Sequence, residues 1–309
     1  MQMRAGLRSD WRRLAVAACL AAMPIGGAAL AEAPALPPLM SPASQEHHPG
    51  KDVFVMLVTP DMAGAKAFYA GLFGWQFRDV PGMRFPYAAA YLGSQMVGGI
   101  VQRDPPAGQQ RQPAWLGYFS VPDVAGAVAK TTSQGAKVLA APLVLPGFGT
   151  RAVLADPQGA VFGVLASASG DPPDVLKPVG AWIWRSVVSG DPAAEAAFYH
   201  SVLGFQSMAL PAAGPGDGQH LLLVSENYAR ATVNAFPAGR PATHPHWLNY
   251  VRVEDAGQAV ARATALGGHV LLAPRPDRHG GMIAIVADPQ GAPVGLLEWG
   301  DDAHKEITK

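Results

Sequence analysis

The sequence predicts an α+β fold of two tandem domains, in which four βαβββ modules pair their curved sheets around two pockets. Three observations carry that prediction. The pentapeptide Asp156-Pro157-Gln158-Gly159-Ala160 recurs verbatim as Asp288-Pro289-Gln290-Gly291-Ala292. Other positions match at the same offset of about 130 residues: Phe68-Tyr69 with Phe198-Tyr199, Trp115-Leu116-Gly117-Tyr118 with Trp247-Leu248-Asn249-Tyr250, and Gly135 with Gly267-Gly268. That period suits a compact domain and is too long for a solenoid repeat. Finally, each half is itself doubled, since Pro60-Asp61-Met62-Ala63-Gly64-Ala65 is echoed by Pro122-Asp123-Val124-Ala125-Gly126-Ala127.

Each module can be justified in order. The first opens on the β-type run Val53 to Val58, turns at Asp61, and continues as an Ala-rich amphipathic helix, with Phe68-Tyr69 and then Leu72-Phe73-Gly74-Trp75 farther on. An Asp between a strand and an amphipathic stretch fits an N-cap, because its carboxylate accepts an otherwise unpaired backbone N–H. Short Gly-punctuated strands follow at Tyr87 to Leu92 and Val97 to Gln102. The second module repeats the order with Leu116 to Val121, Asp123, and strands at Arg151 to Ala155 and Val161 to Leu165. The third and fourth place Asp191 after Ser186 to Val188 and Asp255 after Asn249 to Val253. A lone four-stranded sheet with one helix leaves a face bare, so the modules are expected to pair and enclose concave pockets.

The strand, the capping Asp, the Phe-Tyr pair, the Leu-Phe-Gly-Trp run and the closing Asp-Pro-Gln-Gly-Ala strand together resemble the glyoxalase, bleomycin-resistance and extradiol-dioxygenase superfamily, the vicinal oxygen chelate fold. The resemblance divides the chain into a first domain at residues 51–169, a linker at 170–179, a second domain at 180–301 and a tail at 302–309. It defines a fold and leaves function open, because that superfamily includes isomerases, dioxygenases, epimerases, thiol transferases and drug-sequestering proteins.

Catalytic members of the family hold a divalent ion with His and Glu side chains. The motif register puts the family's ligand positions at Phe54, Leu116, Trp184 and Leu248, with Gly163 and Gly295 on the closing strands. None of these side chains binds a metal. Independently of register, the stretch from Lys51 to Leu176 contains no His, Glu or Cys. No cofactor is therefore expected and no metal ligand is assigned, although a divalent metal stays open for the second domain, which carries His246 and Glu298 among others.

His246 is the candidate catalytic residue. On an extended strand it shares a face with Leu248 and Tyr250, and imidazole suits proton transfer near neutral pH. Glu298 has the opposite parity to Gly295 and is expected to point away from the pocket. The candidate ligand-binding residues are aromatic: Phe54, Tyr87, Tyr91 and Tyr118 in the first copy, and Trp184, Trp247 and Tyr250 in the second. Rings of this kind also fill cores between facing sheets.

At the N-terminus, Arg4, Arg8, Arg12 and Arg13 precede an apolar run from Leu14 to Leu30 that ends in Ala29-Leu30-Ala31. This reads as a signal peptide at residues 1–31, followed by a disordered Pro-rich spacer at 32–50, and so as a periplasmic or secreted protein. A lipoprotein cut before Cys19 is the weaker variant, since only five apolar residues separate Arg13 from Cys19. Because Cys19 is the only cysteine, the exported domains have neither a disulfide nor a thiol nucleophile. Loss of the signal leaves a net charge of about −3 with no basic patch, which excludes nucleic acid as a partner. The expected partner is a small apolar or aromatic molecule, bound with or without catalysis. Four modules in one chain form both pockets, so the expected state is a monomer with an internal pseudo-dimer.

Overall fold

The computed structural model describes residues 35–104, 113–212, 218–236, 244–278 and 280–300. Residues 1–31, read above as a signal peptide, lie outside these residues with Cys19, as does the tail at 302–309. The first domain runs β1 (Asp52–Thr59), α1 (Met62–Phe73), β2 (Gln76–Asp79), β3 (Tyr87–Leu92), β4 (Gln95–Gln102), β5 (Ala114–Ser120), α2 (Val124–Ser133), β6 (Lys137–Leu145), β7 (Gly149–Ala155) and β8 (Val161–Ser167). The second repeats it as β9 (Trp182–Ser189), α3 (Pro192–Leu203), β10 (Gln206–Ala209), β11 (His220–Ser225), β12 (Tyr228–Ala235), β13 (His246–Val253), α4 (Ala256–Ala265), β14 (His269–Pro276), β15 (Met282–Ala287) and β16 (Pro293–Glu298).

All four helices begin as the sequence predicts. Asp61 accepts from the Gly64 amide at 2.9 Å, Asp123 from Ala125 and Gly126, Asp191 from Ala194 and Asp255 from Gln258. Gly74 and Gly204 end α1 and α3 in the left-handed conformation, at φ 74° and 78°, which glycine adopts without steric cost. Each domain is one eight-stranded sheet, ordered β2-β3-β4-β1-β5-β8-β7-β6 and β10-β11-β12-β9-β13-β16-β15-β14. The two modules of a domain thus join edge to edge through the antiparallel pairs β1–β5 and β9–β13.

The helix-side cores cross the domain boundary. One cluster combines Phe68, Tyr69, Trp75 and Trp115 of the first domain with Val251, Val286 and Leu296 of the second. The other combines Phe119, Phe162 and Val164 with Phe198, Tyr199 and Trp247. At the heart of each lies a buried relay. Trp115 Nε1 donates to Tyr69 Oη at 2.7 Å, and Tyr69 Oη to Asp288 Oδ2 at 3.2 Å. Trp247 Nε1 donates to Tyr199 Oη, and Tyr199 Oη to Asp156 Oδ2, both at 2.7 Å. The Asp-Pro-Gln-Gly-Ala turn of each domain is therefore tied to the helix of the other, a structural use for the repeated motifs.

Two expectations need correction. Residues 35–50 are not a loose spacer: Leu36 is 2% exposed, the Ser44 amide donates to the Ser169 carbonyl at 3.0 Å, and the His48 amide donates to Asp171 Oδ2 at 2.7 Å. Its leucines and these backbone bonds outweigh the disorder that its Pro-rich composition suggests. Trp247 is no pocket residue either. It alternates with Leu248 and Tyr250 along β13, and the twofold period of a strand sends it to the helix-side core.

Candidate functional site

The concave face of the first domain gathers Phe54, Tyr87, Tyr91 and Tyr118 into one buried cluster with Phe148, as their strand parity predicts. Phe54 packs against Tyr118 and Phe148 at ring-centre distances of 5.7 and 5.1 Å. Tyr118 lies over Gly163, where a Cβ would come within 2.3 Å of its ring. Leu36 joins the same cluster, so this face is closed by the chain's own side chains. Burial raises the phenols of Tyr87 and Tyr118 above their ordinary range, which keeps them protonated.

The second domain repeats the frame with a thinner filling. Trp184 and Tyr250 pair across β9 and β13 as Phe54 and Tyr118 do across β1 and β5. Tyr250 covers Gly295, where a Cβ would meet the ring at 2.0 Å. Its hydroxyl lies 3.1 Å from Ser186 Oγ. Trp184 stays partly exposed and packs on Trp299, ring centres 5.5 Å apart. The family ligand positions fall together on these two faces, and they hold a phenylalanine, a tryptophan, two leucines and two glycines. That donor set does not fit a divalent ion.

His246 does not join the site. It is exposed at the start of β13, with Nδ1 2.8 Å from the His244 carbonyl oxygen. Glu298 faces the helix side, as its parity requires, and its Oε1 accepts from the Ala256 amide at 2.8 Å at the start of α4.

The pocket itself lies between the domains, where the sequence offers no cue to it. A cavity of about 170 Å³ opens where the starts of β1 and β9, the starts of β4 and β12, and linker residues 172–177 converge. Trp184, Trp299, Tyr228 and Phe54 supply aromatic wall. Four cations, Lys51, Lys177, Arg185 and Arg230, face only two carboxylates, Asp52 and Asp174. Asp174 takes ion pairs from Lys51 at 2.5 Å and Arg230 at 2.6 Å. Lys177 makes no ion pair among the described residues, its Nζ donating only to the Pro173 carbonyl at 3.3 Å. Burial, with Lys51 nearby, pushes it down to about 8.

Arg185 is 1% exposed and pairs through Nη1 with Asp52 at 3.3 Å. Its guanidinium stacks on Phe119 and Trp247 at 4.1 and 4.9 Å, and Gly117 leaves it room, since a Cβ there would lie 2.4 Å from Cζ. Burial drives Asp52 up to about 6 despite the opposing pull of Arg185. These charges come from the ends of strands and from the linker, so only tertiary packing brings them together. His48, Asp174 and Glu226 also converge, their ligating atoms within 4.8 Å of one another. Lys51 and Arg230 already neutralise Asp174 there, so a dication would have to displace two cations.

Two tandem αβ domains with back-to-back helix cores and paired concave sheets define a recognisable class. The chain belongs to the Glyoxalase/Bleomycin resistance protein/Dioxygenase superfamily, whose sequence pattern matches residues 53–164 and 183–296. It is 30% identical over 259 residues to "Putative glyoxylase CFP32" of Mycobacterium bovis, covering 83% of this chain and 98% of that protein. It is 29% identical over 265 residues to the anthracycline biosynthesis protein DauV of Streptomyces sp. strain C5, covering 81% and 94%. Among solved structures, the Mn(II)-bound glyoxalase from Novosphingobium aromaticivorans superposes with a TM-score of 0.56 at 18% identity, over 82% of this chain and 83% of that one. At that identity the likeness concerns the fold alone.

Proposed function

We propose that the protein binds a small, partly aromatic molecule in the cavity between its domains, without the divalent metal of the family's catalytic members. The cavity carries this reading: about 170 Å³ with walls from Trp184, Trp299 and Tyr228. An apolar cavity of about 150 Å³ holds one benzene ring, so a single substituted ring is the size expected. The metal-free part rests on the side chains at the six ligand positions, which supply no donor atom. A glyoxylase reaction, which the name of CFP32 attaches to that protein, would need a proton-transfer group here. His246 stands outside the cavity and burial holds Tyr118 and Tyr250 protonated, which leaves Asp52, pushed up to about 6, and Lys177, pushed down to about 8, as the lining groups that could move a proton. The reading includes export of the protein, on the signal-like residues 1–31.

Titration of single-ring aromatic probes by ligand-observed NMR tests the reading. Wild-type protein is expected to bind, and Trp184→Ala to weaken binding by about tenfold or more, the loss of roughly 1.4 kcal/mol. Unchanged binding in that variant overturns the assigned cavity. The dialysed protein is expected to hold well under one equivalent of Zn, Ni, Fe or Mn, with chelator leaving Tm unmoved. A stoichiometric retained metal would overturn the metal-free part.

A further inference from the structure

We infer that the interdomain cavity selects an anionic ligand, a small aromatic carboxylate, whose carboxylate is held by Lys177. The inference rests on the binding reading above and adds the ligand's charge and the group that reads it. Two independent observations lead to it.

The first is a charge imbalance at the cavity wall, where four cations meet two carboxylates. Asp174 is shared by Lys51 and Arg230, Arg230 also pairs with Glu226 just outside the wall at 3.3 Å, and Asp52 is committed to Arg185. That leaves Lys177 with no ion-pair partner among the described residues. An ammonium half-buried beside other cations is costly unless an anion arrives.

The second is shape. Trp184, Trp299 and Tyr228 line the same cavity as these cations, giving an apolar wall and a cationic one within a space of single-ring size. A neutral aromatic would satisfy only the first wall.

The same geometry gives a pH signature. Lys177 faces Lys51 and Asp52 from the start of β1, Asp174 from its own linker, Arg185 from β9 and Arg230 from β12. Lys177 titrates at about 8, so anion affinity should fall as pH rises through that value and the ammonium is lost. The affinity of a neutral isostere should not change there.

The test uses benzoate and benzamide as probes, one charged and one neutral with nearly the same shape, titrated into the purified wild-type protein by NMR at low and moderate salt. Benzoate is expected to bind about tenfold more tightly than benzamide, and to weaken with salt and above pH 8 while benzamide does neither. Lys177→Met is expected to bring benzoate down to the level of benzamide and to leave benzamide within about twofold. If both probes bind equally in the wild type, the anion inference is overturned and the cavity reading stands. If neither binds, both fall. The wild-type comparison needs no variant, so a misfolded Lys177→Met would not rescue the inference. Equal loss of both probes in a folded Lys177→Met would assign Lys177 to packing and overturn its role.

Discussion

The two domains share a frame and differ in what fills it. Phe54 and Trp184 sit at equivalent places, as do Tyr118 over Gly163 and Tyr250 over Gly295. In the first domain that frame is packed with Tyr87, Tyr91 and Phe148 and overlaid by Leu36. The buried set of the second is Leu248, Tyr250, Leu297 and Trp299, and Trp184 stays partly exposed to the interdomain cavity. Duplication therefore preserved the backbone register and the glycine under each tyrosine while the rim diverged. The cavity lies at the seam between the copies, where the linker supplies charge that neither copy encodes alone.

The helix-side interface offers the largest effects by which to break that comparison. Asp288 Oδ1 accepts the Gln290 and Ala292 amides, both at 2.9 Å, while Oδ2 accepts Tyr69. Asp288→Ala should cost about 3 kcal/mol in urea unfolding, since it orphans buried donors of its own turn and of the other domain. Asp156→Ala removes the matching set, the amides of Gln158, Gly159 and Ala160 and the Tyr199 hydroxyl. It should cost less above neutral pH, because Asp156 also has Glu195 beside it, where the first copy has Ala65. Equal costs for the two variants at every pH would remove this asymmetry.

Glu195 sharpens the same point. It is buried, and burial together with Asp156 pushes it up to about 9. A carboxyl whose folded value lies above its unfolded one stabilises the protein in full below the unfolded value, near 4.5, and that stability is lost as pH rises toward 9. Wild-type stability should therefore decline across that window relative to Glu195→Gln, which keeps the polar contacts to Gln158 and Ser189 without the charge. Parallel stability–pH curves would mean that Glu195 titrates normally.

What the sequence made legible was whatever is local or repeated. The four Asp caps follow from short-range hydrogen bonding. The verbatim pentapeptide gave the domain count. Parity along one strand placed Phe54, Tyr118, Trp184 and Tyr250 on their faces. The same rule, applied to neighbours, separates Trp247 from Tyr250, yet aromatic character alone had grouped them. Lys177, Arg185 and Asp52 stayed hidden because their meeting depends on how two domains and a linker pack. Residues 35–50 misled because a Pro-rich composition does not show that Leu36 has a surface to cover or that Ser169 and Asp171 wait for its backbone.

The smallest predicted effect is also the most direct probe of the two tyrosines. Tyr118 and Tyr250 stand at matched positions, each ring over a glycine, but their hydroxyls differ: Tyr250 Oη lies 3.1 Å from Ser186 Oγ, whereas Tyr118 Oη is buried with no hydrogen-bond partner. A hydrogen bond between neutral groups contributes about 1 kcal/mol net, while a buried hydroxyl without a partner carries its desolvation cost uncompensated. Tyr250→Phe should therefore destabilise the protein by about 1 kcal/mol, leaving Ser186 Oγ without that partner. Tyr118→Phe should be neutral or slightly stabilising, because the ring keeps its packing on Gly163 and Phe54 and only the unpaired oxygen is lost. Chemical denaturation of both variants in one buffer decides it. If Tyr118→Phe costs as much as Tyr250→Phe, the Tyr118 hydroxyl has a partner inside the first domain, and that concave face would be a polar site rather than a filled one.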